Sequence, residues 1–518
     1  ACSGTLAMGE LSRAFRRAFW SAWLSSAVRS RPRLEQFDSL THEQRIAEFR
    51  RLDTEVLLEN QSRLVRKLRD RTHHLLQSDP AQRELPYLNR QMSLQRRHAP
   101  LRRTIREAGT VIRSAKPCML MSPLTVAQML TDAGRSFDLV VFDEASQLPV
   151  EDAVGAICRG QKIVVVGDPR QLPPTDFFGV TLGATDGAVG ENGEPVFTDS
   201  ESILDEIAGS GIAQSPLLWH YRSTHESLIH FSNSTFYEGK LYTFPSTDTG
   251  ERDGGVTFEY VEEGCYEKGG LNMPEVRRVA AAIVEFARES LRRPPASRMS
   301  LGVGTFNLRQ SIAILDELER ERRADPELEA FFSRDLDEPF FVKNLENIQG
   351  DERDVIFISV TFGKGADGNI SFNFGPLNKK NGGRRLNVLV TRARRRMRVF
   401  ASMRAGDMKI AGDTGTGAVL LKSFLRYAET GVVDGAGLEI LGDAESPFES
   451  EVLAELFRHG LDVRSQVGSG KYRIDIGVVD PVMPGRYLCG IECDGVAYHS
   501  SETARDRDRL RQQVLEAR

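Results

Sequence analysis

Hydrophobic positions near the start of the chain recur at steps of three and four residues. Ile46, Phe49 and Leu52 follow this spacing, and residues 34–108 contain no glycine. Such spacing is typical of amphipathic helices, which bury one stripe of side chains. We therefore expect residues 1–116 to be helical. Arginine is dense in this segment and acids are few, which indicates either a phosphate-binding surface or a solvated helix face.

Farther along, the pattern changes to short runs of β-branched residues that alternate with turns and helical stretches. The runs cover Phe137–Phe142, Lys162–Val166, Leu301–Thr305 and Val355–Val360. Strands that are apolar along their whole length and alternate with helices are typical of parallel sheets, whose helices cover both faces. We therefore predict an α/β fold class with parallel sheets, and we expect the first two strands to be buried.

The C-terminal part carries a smaller pattern of its own. It predicts a helix over Glu449–Arg458 and strands over Arg473–Val479 and Tyr487–Cys493. The glycine-rich stretch before it predicts a linker over residues 411–444. We expect residues 445–518 to form a small, truncated α/β domain, because its last predicted helix has no glycine or proline stop.

Length and composition restrict the class of protein. The 518 residues exceed what one hydrophobic core supports, and 40% hydrophobic with 27% charged residues is typical of globular domains. Lys and Arg number 68 against 73 Asp and Glu, a net charge of -5, so any nucleic-acid surface must be local. The six cysteines form no CxxC pair and no apolar run is long enough to cross a membrane, which predicts a cytoplasmic protein without a membrane partner.

Polar side chains follow directly on two of the predicted strands. Asp143 and Glu144 come after Phe142, and Asp168 and Gln171 come after Gly167 with a proline-rich turn. The carboxyl ends of parallel strands are where ligands bind, and a carboxylate there can hold Mg²⁺ while its neighbour orients water. We therefore expect the two segments to lie side by side at one site.

These two segments resemble motifs II and III of superfamily 1 helicases, in the branch that includes the nonsense-mediated-decay helicase. The other motifs of that family have counterparts in the same order. The counterparts lie at Leu217–Ser223, Gly302–Gln310, Asn347–Ile356 and Arg385–Arg394. The resemblance covers residues 117–402.

The resemblance implies two RecA-like domains, residues 117–214 and 215–410, with residues 1–116 as a helical insertion in the first. It implies ATP and Mg²⁺ as cofactors, and single-stranded or duplex nucleic acid as the partner, with DNA favoured over RNA. The resemblance implies that Asp143 binds Mg²⁺ and that Glu144 orients the attacking water. It implies contacts with the nucleotide: Gln171, Arg222 and Arg392 with the γ-phosphate, Glu352 with the ribose, and Asp168 and Gly350 elsewhere. The residues implied to contact nucleic acid are Ser122, Thr125, Phe306 and Asn307.

A GxxxxGK[ST] loop, which cradles the phosphates in ATPases of this kind, does not occur in this sequence. The stretch Gly468–Tyr472 has a similar appearance but lacks the first glycine and the Ser or Thr. The resemblance places the loop before Asp143, so we expect it upstream in a longer parent protein. We expect this chain by itself to hydrolyse ATP poorly.

The two predicted C-terminal strands each carry acids that adjacent pairing would bring together. Asp475, Glu492 and Asp494 could share a divalent ion, and oxygen-only ligands favour Mg²⁺ over zinc. The preceding helix adds Glu449 and Glu451. Gln466 and Arg473 could position phosphate, and His499 could carry a proton.

This C-terminal part resembles the PD-(D/E)XK restriction-endonuclease fold, in the branch similar to very-short-patch-repair endonucleases, over residues 445–518. Asp494 stands where the family signature has lysine, as in that branch, which places more weight on His499. The alternative is that these acids form structural ion pairs in a binding module without chemistry.

Together, the resemblances predict an ATP-dependent helicase or translocase motor fused to a Mg²⁺-dependent nuclease-like domain. Their implied setting is bacterial defence against phage or plasmid DNA, or DNA repair. Two alternatives remain open: a nucleic-acid-binding scaffold whose affinity is switched by ATP without unwinding, and a nuclease effector with a vestigial motor.

Overall fold

A computed structural model describes residues 8–32, 38–130, 136–174, 202–246, 254–267, 269–371, 373–378, 381–409, 417–433, 446–468, 473–482 and 486–493. The chain divides into two compact units, Ala1–Gly134 and Arg135–Arg518. Among the described residues, no helix is long and apolar enough to cross a membrane.

The first unit is helical, as the spacing of its apolar residues predicts. In its longest helix, Ser39–Leu76, no residue is buried, and Phe49 is 56% exposed. The apolar stripe therefore lies open within this part of the structure. The helices are α1 (Met8–Arg29), α2 (Ser39–Leu76), α3 (Asp79–Ser93), α4 (Leu101–Glu107), α5 (Gly109–Ala115) and α6 (Pro123–Met129).

A small core joins the shorter helices of this unit. Ala81 of α3, Ile105 of α4 and Val111 of α5 are buried together, and Glu84 accepts a hydrogen bond from the Val111 amide at 2.9 Å. Helix α6 packs against α4. The compact unit Ala1–Gly134 includes α6, and the domain boundary at residue 116 stays a prediction.

The second unit begins with two parallel strands, β1 (Phe137–Phe142) and β2 (Gly160–Val165), on either side of α7 (Val150–Ile157). Leu139 and Val141 are 48% and 56% exposed. The expectation that these strands are buried is wrong for the described residues. Burial requires covering layers on both faces of a parallel sheet, whereas here β1 and β2 pair only with each other within the described part.

A larger parallel sheet follows, in the strand order β3-β7-β6-β4-β5. Alternate residues of β6 point to opposite faces: Val355 and Phe357 pack in one apolar core, and Ile356 and Ile358 pack in another. The strands are β3 (Gly255–Tyr260), β4 (Leu301–Thr305), β5 (Phe341–Asn344), β6 (Arg353–Gly363) and β7 (Ala393–Ser402).

Helices cover both faces of this sheet, so the prediction of a parallel α/β fold is confirmed. The core that contains Val355 and Phe357 includes side chains of α10 and α11. The core that contains Ile356 and Ile358 includes side chains of α9, α12 and α13. The helices of this region are α8 (Ile203–Gly209), α9 (Ser227–Phe236), α10 (Met273–Arg292), α11 (Leu308–Ala324), α12 (Gly382–Val390) and α13 (Gly417–Thr430).

The C-terminal part forms a small antiparallel sheet in the order β10-β9-β8 beside one helix. Its core contains Val463, Ile476 and Val478. The sequence pattern predicts the helix and two of the strands but misses β8, whose alternation of polar and apolar residues is short. The elements are α14 (Pro447–Arg458), β8 (Val463–Val467), β9 (Ile474–Val479) and β10 (Tyr487–Ile491).

Candidate nucleotide-binding and nuclease sites

Asp143 and Glu144 lie exposed at the carboxyl end of β1. Glu144 has a φ of 52°, in the left-handed region that residues with a side chain seldom adopt. Its amide donates to Asp143 Oδ1 at 3.0 Å, and Gln147 Nε2 donates to Glu144 Oε2 at 3.2 Å. The tight turn therefore presents two carboxylates next to each other at the sheet edge.

The segment after β2 lies against this turn. The Ala145 amide donates to the Val166 carbonyl at 3.0 Å, and a Cβ atom on Gly167 would lie 3.0 Å from the Ser146 amide nitrogen. Only glycine permits this approach without displacing the backbone. As the sequence predicts, the two segments are side by side.

Asp168 organises the segment that begins after Gly167. Its Oδ1 accepts from the Arg170 amide at 2.8 Å, which is an Asx turn, and its Oδ2 accepts from Gln171 Nε2 at 3.0 Å. The glutamine amide is therefore held by a carboxylate of its own segment. Gln349 Nε2 also approaches Gln171 Oε1 at 3.5 Å, from the loop before β6.

Arg222 and Glu352 meet at the amino edge of the larger sheet. Arg222 Nε donates to Glu352 Oε2 at 2.7 Å, and Arg222 Nη1 donates to the Thr391 carbonyl at 3.3 Å. Glu352 also pairs with Arg394 at 3.5 Å. In this structure the Glu352 carboxylate is engaged by arginines, so its implied contact with ribose stays a prediction.

Arg392 is buried at the same edge, with 3% of its surface exposed. Its Nε donates to the Val388 carbonyl at 2.7 Å and its Nη2 to Thr391 Oγ1 at 3.0 Å. Within the described ranges it forms no ion pair with a carboxylate. Burial, and then the charge of Arg222, lower the pKa of Arg392 to about 10, while the charges of Glu144 and Glu352 act in the opposite direction.

The segments after β1 and β2 and the arginines before β7 belong to one region, because Asn387 Nδ2 donates to the Arg170 carbonyl at 3.0 Å and the charge of Glu144 acts on Arg392. A buried cation with only neutral hydrogen-bond acceptors is costly unless an anion joins it. A nucleotide phosphate is an anion of the kind that Arg392 lacks, and the contacts of Arg222 and Gln171 with phosphate stay predictions. The exposed carboxylates of Asp143 and Glu144 are oxygen ligands of the kind that Mg²⁺ prefers.

Tyr237, which belongs to none of the sequence motifs, connects the two sides of this region. Its hydroxyl donates to Asp168 Oδ2 at 2.6 Å and accepts from Asn387 Nδ2 at 3.0 Å. Asn387 Nδ2 also donates to the Arg170 carbonyl at 3.0 Å. Sequence reasoning misses Tyr237 because nothing in the residues around it reveals a partner 69 positions away.

The residues predicted to contact nucleic acid differ in their surroundings. Phe306 is 0% exposed and packs its ring 6.0 Å from that of Phe362, so the expectation that it offers a face for a base is wrong for this structure. Asn307 accepts from the Gln310 amide at 2.9 Å and caps α11. In the first unit, Ser122 caps α6 by accepting from the Thr125 amide at 3.3 Å. Gly350, at a φ of 84°, has open space where a Cβ would lie.

In the C-terminal sheet, Asp475 lies near the segment that carries the second predicted acid. Ile476 of β9 is the partner of Ile491, the last residue of β10, so Asp475 directly precedes and Glu492 directly follows the last pair of this register. Asp475 Oδ2 accepts from the Cys493 amide at 2.7 Å. Asp494 and His499 lie outside the described residues, and within the described ones no group of three or more metal-binding side chains is found.

Glu449 of α14 points into this small domain and is 6% exposed, whereas Glu451 is exposed. Glu449 Oε2 accepts from Gln466 Nε2 at 3.1 Å, and Oε1 accepts from Ser446 Oγ at 2.9 Å. Gln466 is itself buried, with a φ of 49°. Its amide is committed to Glu449, so its predicted contact with phosphate would require that bond to be exchanged.

Comparison with known families decides the nature of these domains. Two family models described as AAA domain match residues 25–177 and 200–404, and the model REase_MTES_1575 matches residues 448–518. The chain carries superfamily 1 helicase domains. A restriction-endonuclease-like domain follows the helicase domains, and the predicted resemblance to both families is confirmed.

The helicase domains have characterised and uncharacterised relatives. The chain is 31% identical over 318 residues to the uncharacterized ATP-dependent helicase MG140 homolog of Mycoplasma pneumoniae, which is 60% of the chain and 27% of that protein. It is 26% identical over 275 residues to the 5'-3' DNA helicase ZGRF1 of Mus musculus, which is 52% of the chain and 13% of that protein. It is 23% identical over 295 residues to Helicase SEN1 of Saccharomyces cerevisiae, with 54% and 12% covered. The chain thus spans about a quarter or less of the length of these relatives.

Among solved structures, the C-terminal domain of a possible DNA helicase from a Lactobacillus aligns with 35% of this chain and 86% of its own length, at 13% identity. The TM-score of 0.20 is too low to bear on the fold of the helicase domains.

Proposed function

We propose that this chain forms part of an ATP-driven helicase or translocase motor on nucleic acid, with a Mg²⁺-dependent nuclease at its C-terminal end. The observation that carries the motor function is Arg392, which is buried without a carboxylate partner among the described residues, next to Arg222 and within electrostatic range of Glu144. The phosphates of ATP supply the anion that this arrangement lacks.

The residues divide the work of hydrolysis between the two parallel-sheet regions. Arg222 and Arg392 offset the negative charge on the phosphoryl group being transferred, and Gln171 donates to it from the segment after β2. Glu144 orients the attacking water, and Asp143 would hold Mg²⁺ through its water shell. When bound, Mg²⁺ neutralises phosphate charge. Because these groups come from both regions, hydrolysis depends on the two regions being held together.

The nucleic-acid partner is DNA in our proposal. The mouse relative is named a 5'-3' DNA helicase, and a nuclease domain that resembles restriction endonucleases is suited to DNA. We place the protein in the cytoplasm of a bacterium, in defence against phage or plasmid DNA or in DNA repair. The motor would bring substrate to the nuclease.

The test uses the protein translated from its complete reading frame. We expect ATP hydrolysis to be stimulated by single-stranded DNA more than by RNA, and a labelled strand to be displaced from a partial duplex. Glu144→Gln should bind ATP while its turnover falls by about a hundredfold or more. Glu151→Gln, on the exposed first turn of α7, is the matched control and should keep full turnover.

Two results would contradict the motor function. Full turnover by Glu144→Gln would remove the role given to this residue. ATP-dependent DNA binding without any strand displacement or movement would favour the alternative of an ATP-switched scaffold.

The nuclease function is supported by Asp475, whose Oδ2 accepts a hydrogen bond from the Cys493 amide, next to Glu492 in the chain. We expect the protein to nick labelled DNA in Mg²⁺ and not in EDTA, and Asp475→Asn to abolish nicking without lowering ATP turnover. Asp462→Asn changes an exposed acid of the same domain and should leave nicking intact. Nicking by the Asp475 variant at the wild-type rate would favour the alternative of a binding module without chemistry.

A further inference from the structure

A series of hydrogen bonds, joined through the side chain and backbone of Asn387, runs from Asp168 to Arg392. Tyr237 donates its hydroxyl hydrogen to Asp168 Oδ2 at 2.6 Å and accepts from Asn387 Nδ2 at 3.0 Å. The main-chain carbonyl of Asn387 then accepts from Thr391 Oγ1 at 2.8 Å, and Thr391 Oγ1 accepts from Arg392 Nη2 at 3.0 Å. The series therefore begins in the segment after β2 and ends at the buried arginine before β7.

The first bond of the series ends at Asp168, the carboxylate that also holds Gln171, which is a predicted γ-phosphate contact. Asp168 Oδ2 accepts from both Tyr237 and Gln171, whose Nε2 lies 3.0 Å away. A change in the position of the tyrosine hydroxyl therefore alters the acceptor that holds the glutamine amide. Hydrogen bonds to an ionised carboxylate are among the stronger ones in proteins.

Asn387 has only one orientation that satisfies its neighbours. Its Nδ2 donates to the Arg170 carbonyl, which can only accept, so the amide cannot be turned over. Asn387 is 1% exposed, and its Oδ1 is buried without a hydrogen-bond partner among the described residues. A buried acceptor that is left unpaired costs free energy, and such a group persists where other contacts hold it in place.

Resting on the proposed ATP hydrolysis, we propose that Tyr237 is a positioning residue that couples Asp168 and Gln171 to Arg392, so that the phosphate-binding groups of the two parallel-sheet regions are arranged together. Tyr237 follows directly on α9, and Asn387 lies on α12, the helix that leads into Thr391 and Arg392. The hydroxyl bonds to both Asp168 and Asn387 of α12, beside the direct bond from Asn387 Nδ2 to the Arg170 carbonyl. Tyr237 touches neither substrate nor metal in this role.

The test is Tyr237→Phe in the protein translated from its complete reading frame, because this change removes the hydroxyl and keeps the ring. We expect kcat for DNA-stimulated ATP hydrolysis to fall by about tenfold, the loss of a hydrogen bond to a charged group. The KM for ATP should change by less than about twofold, since the hydroxyl positions groups that act in the transition state. Burial, and then the charge of Asp168, hold the pKa of Tyr237 above its usual value, so the defect should be constant between about pH 6.5 and 8.5.

Tyr427→Phe is the matched control. Tyr427 donates to the Ser227 carbonyl at 2.6 Å, so it anchors the other end of α9 with a bond of the same length but does not reach Asp168. We expect Tyr427→Phe to lower the melting temperature at least as much as Tyr237→Phe does while keeping kcat. Adding Asn387→Ala to Tyr237→Phe should lower kcat no further than Asn387→Ala alone, because both changes break the same series.

The outcomes separate this inference from the proposed function. If the wild-type protein shows no DNA-stimulated ATP hydrolysis, the proposed function fails and the role of Tyr237 fails with it. If the wild type is active and Tyr237→Phe retains its kcat, or loses only as much as Tyr427→Phe does, the coupling role alone is overturned. Independent, additive losses in the double variant would likewise overturn it.

Discussion

Arg222 donates a hydrogen bond from Nε to Glu352 Oε2 at 2.7 Å, while the neighbouring Arg392 has no carboxylate partner in the described part of the chain. Burial, and then the charge of Arg222, lower the pKa of Arg392, and the charge of Glu352 opposes the effect of Arg222. One carboxylate thus moderates the repulsion between two guanidinium groups at the amino edge of the sheet. A bound triphosphate would compete with Glu352 for Arg222.

The first prediction concerns Glu352→Gln. Removing the negative charge leaves two cations to attract an anion, so we expect inorganic tripolyphosphate to bind about three- to tenfold more tightly at low salt, with the gain fading at high salt. If Glu352 also contacts ribose, as the helicase resemblance implies, ATP should gain less affinity than tripolyphosphate. Titration of both ligands by calorimetry checks this. Unchanged affinity for tripolyphosphate would contradict the competition.

The second prediction concerns Arg392→Ala. The guanidinium is the buried group that would offset charge on the phosphoryl group, so we expect kcat for ATP hydrolysis to fall by about a thousandfold. Arg395→Ala, three residues farther along the chain and exposed on β7, should keep kcat within about twofold of the wild type. Single-turnover hydrolysis measures both variants. Equal activity of the two variants would remove Arg392 from the site.

The third prediction follows from Glu275, which is 0% exposed at the start of α10. Burial raises its pKa to about 7, although hydrogen bonds from Ser359 Oγ and the Thr361 amide act to lower it. The pKa in the folded protein lies above the unfolded value of 4.5. Between about pH 4.5 and pH 7, the folded protein therefore holds a proton on Glu275 that the unfolded chain has released. This contribution to stability is present below about pH 4.5 and is lost as the pH rises toward about 7.

Glu275→Gln removes the titration and keeps an acceptor for Ser359. We expect the free energy of unfolding of the variant, relative to that of the wild type, to rise by on the order of 1–3 kcal/mol from pH 5 to pH 8. Urea unfolding at the two pH values measures this difference. A constant difference between variant and wild type would show that Glu275 does not titrate in this range.

The fourth prediction tests the close approach of the two strand-end segments. In Gly167→Ala, the added Cβ would lie 3.0 Å from the Ser146 amide nitrogen and from a Leu204 methyl group, so the segments must separate. We expect stability to fall by about 1–3 kcal/mol and ATP turnover to fall with it. Gly209→Ala, where nothing lies within 4 Å at the end of α8, should instead be neutral or stabilising by up to about 1 kcal/mol. Thermal unfolding of both variants checks the contrast.

Some local expectations did not survive the tertiary structure. The strand Phe137–Phe142 is apolar along its length, yet Leu139 and Val141 are largely exposed, because burial depends on the neighbours that a strand receives. Phe306 lies in a segment that resembles a nucleic-acid-binding motif, yet its ring is inside the core against Phe362. In both cases the sequence shows that the side chain is apolar, whereas the packing of neighbouring elements decides whether that side chain is buried or exposed.

The sequence by itself determined the helical start of the chain, the parallel α/β arrangement, the helicase and endonuclease resemblance, and the acids at the ends of β1 and β9. These follow from periodicity and from the order of short motifs, which are local properties of a chain. Only the tertiary structure decided that Arg222 pairs with Glu352, that Arg392 is buried without a carboxylate partner in the described residues, and that Tyr237 bonds to Asp168. Each of these contacts joins residues far apart in sequence or depends on what surrounds a side chain, and such proximity is set by the path of the folded backbone.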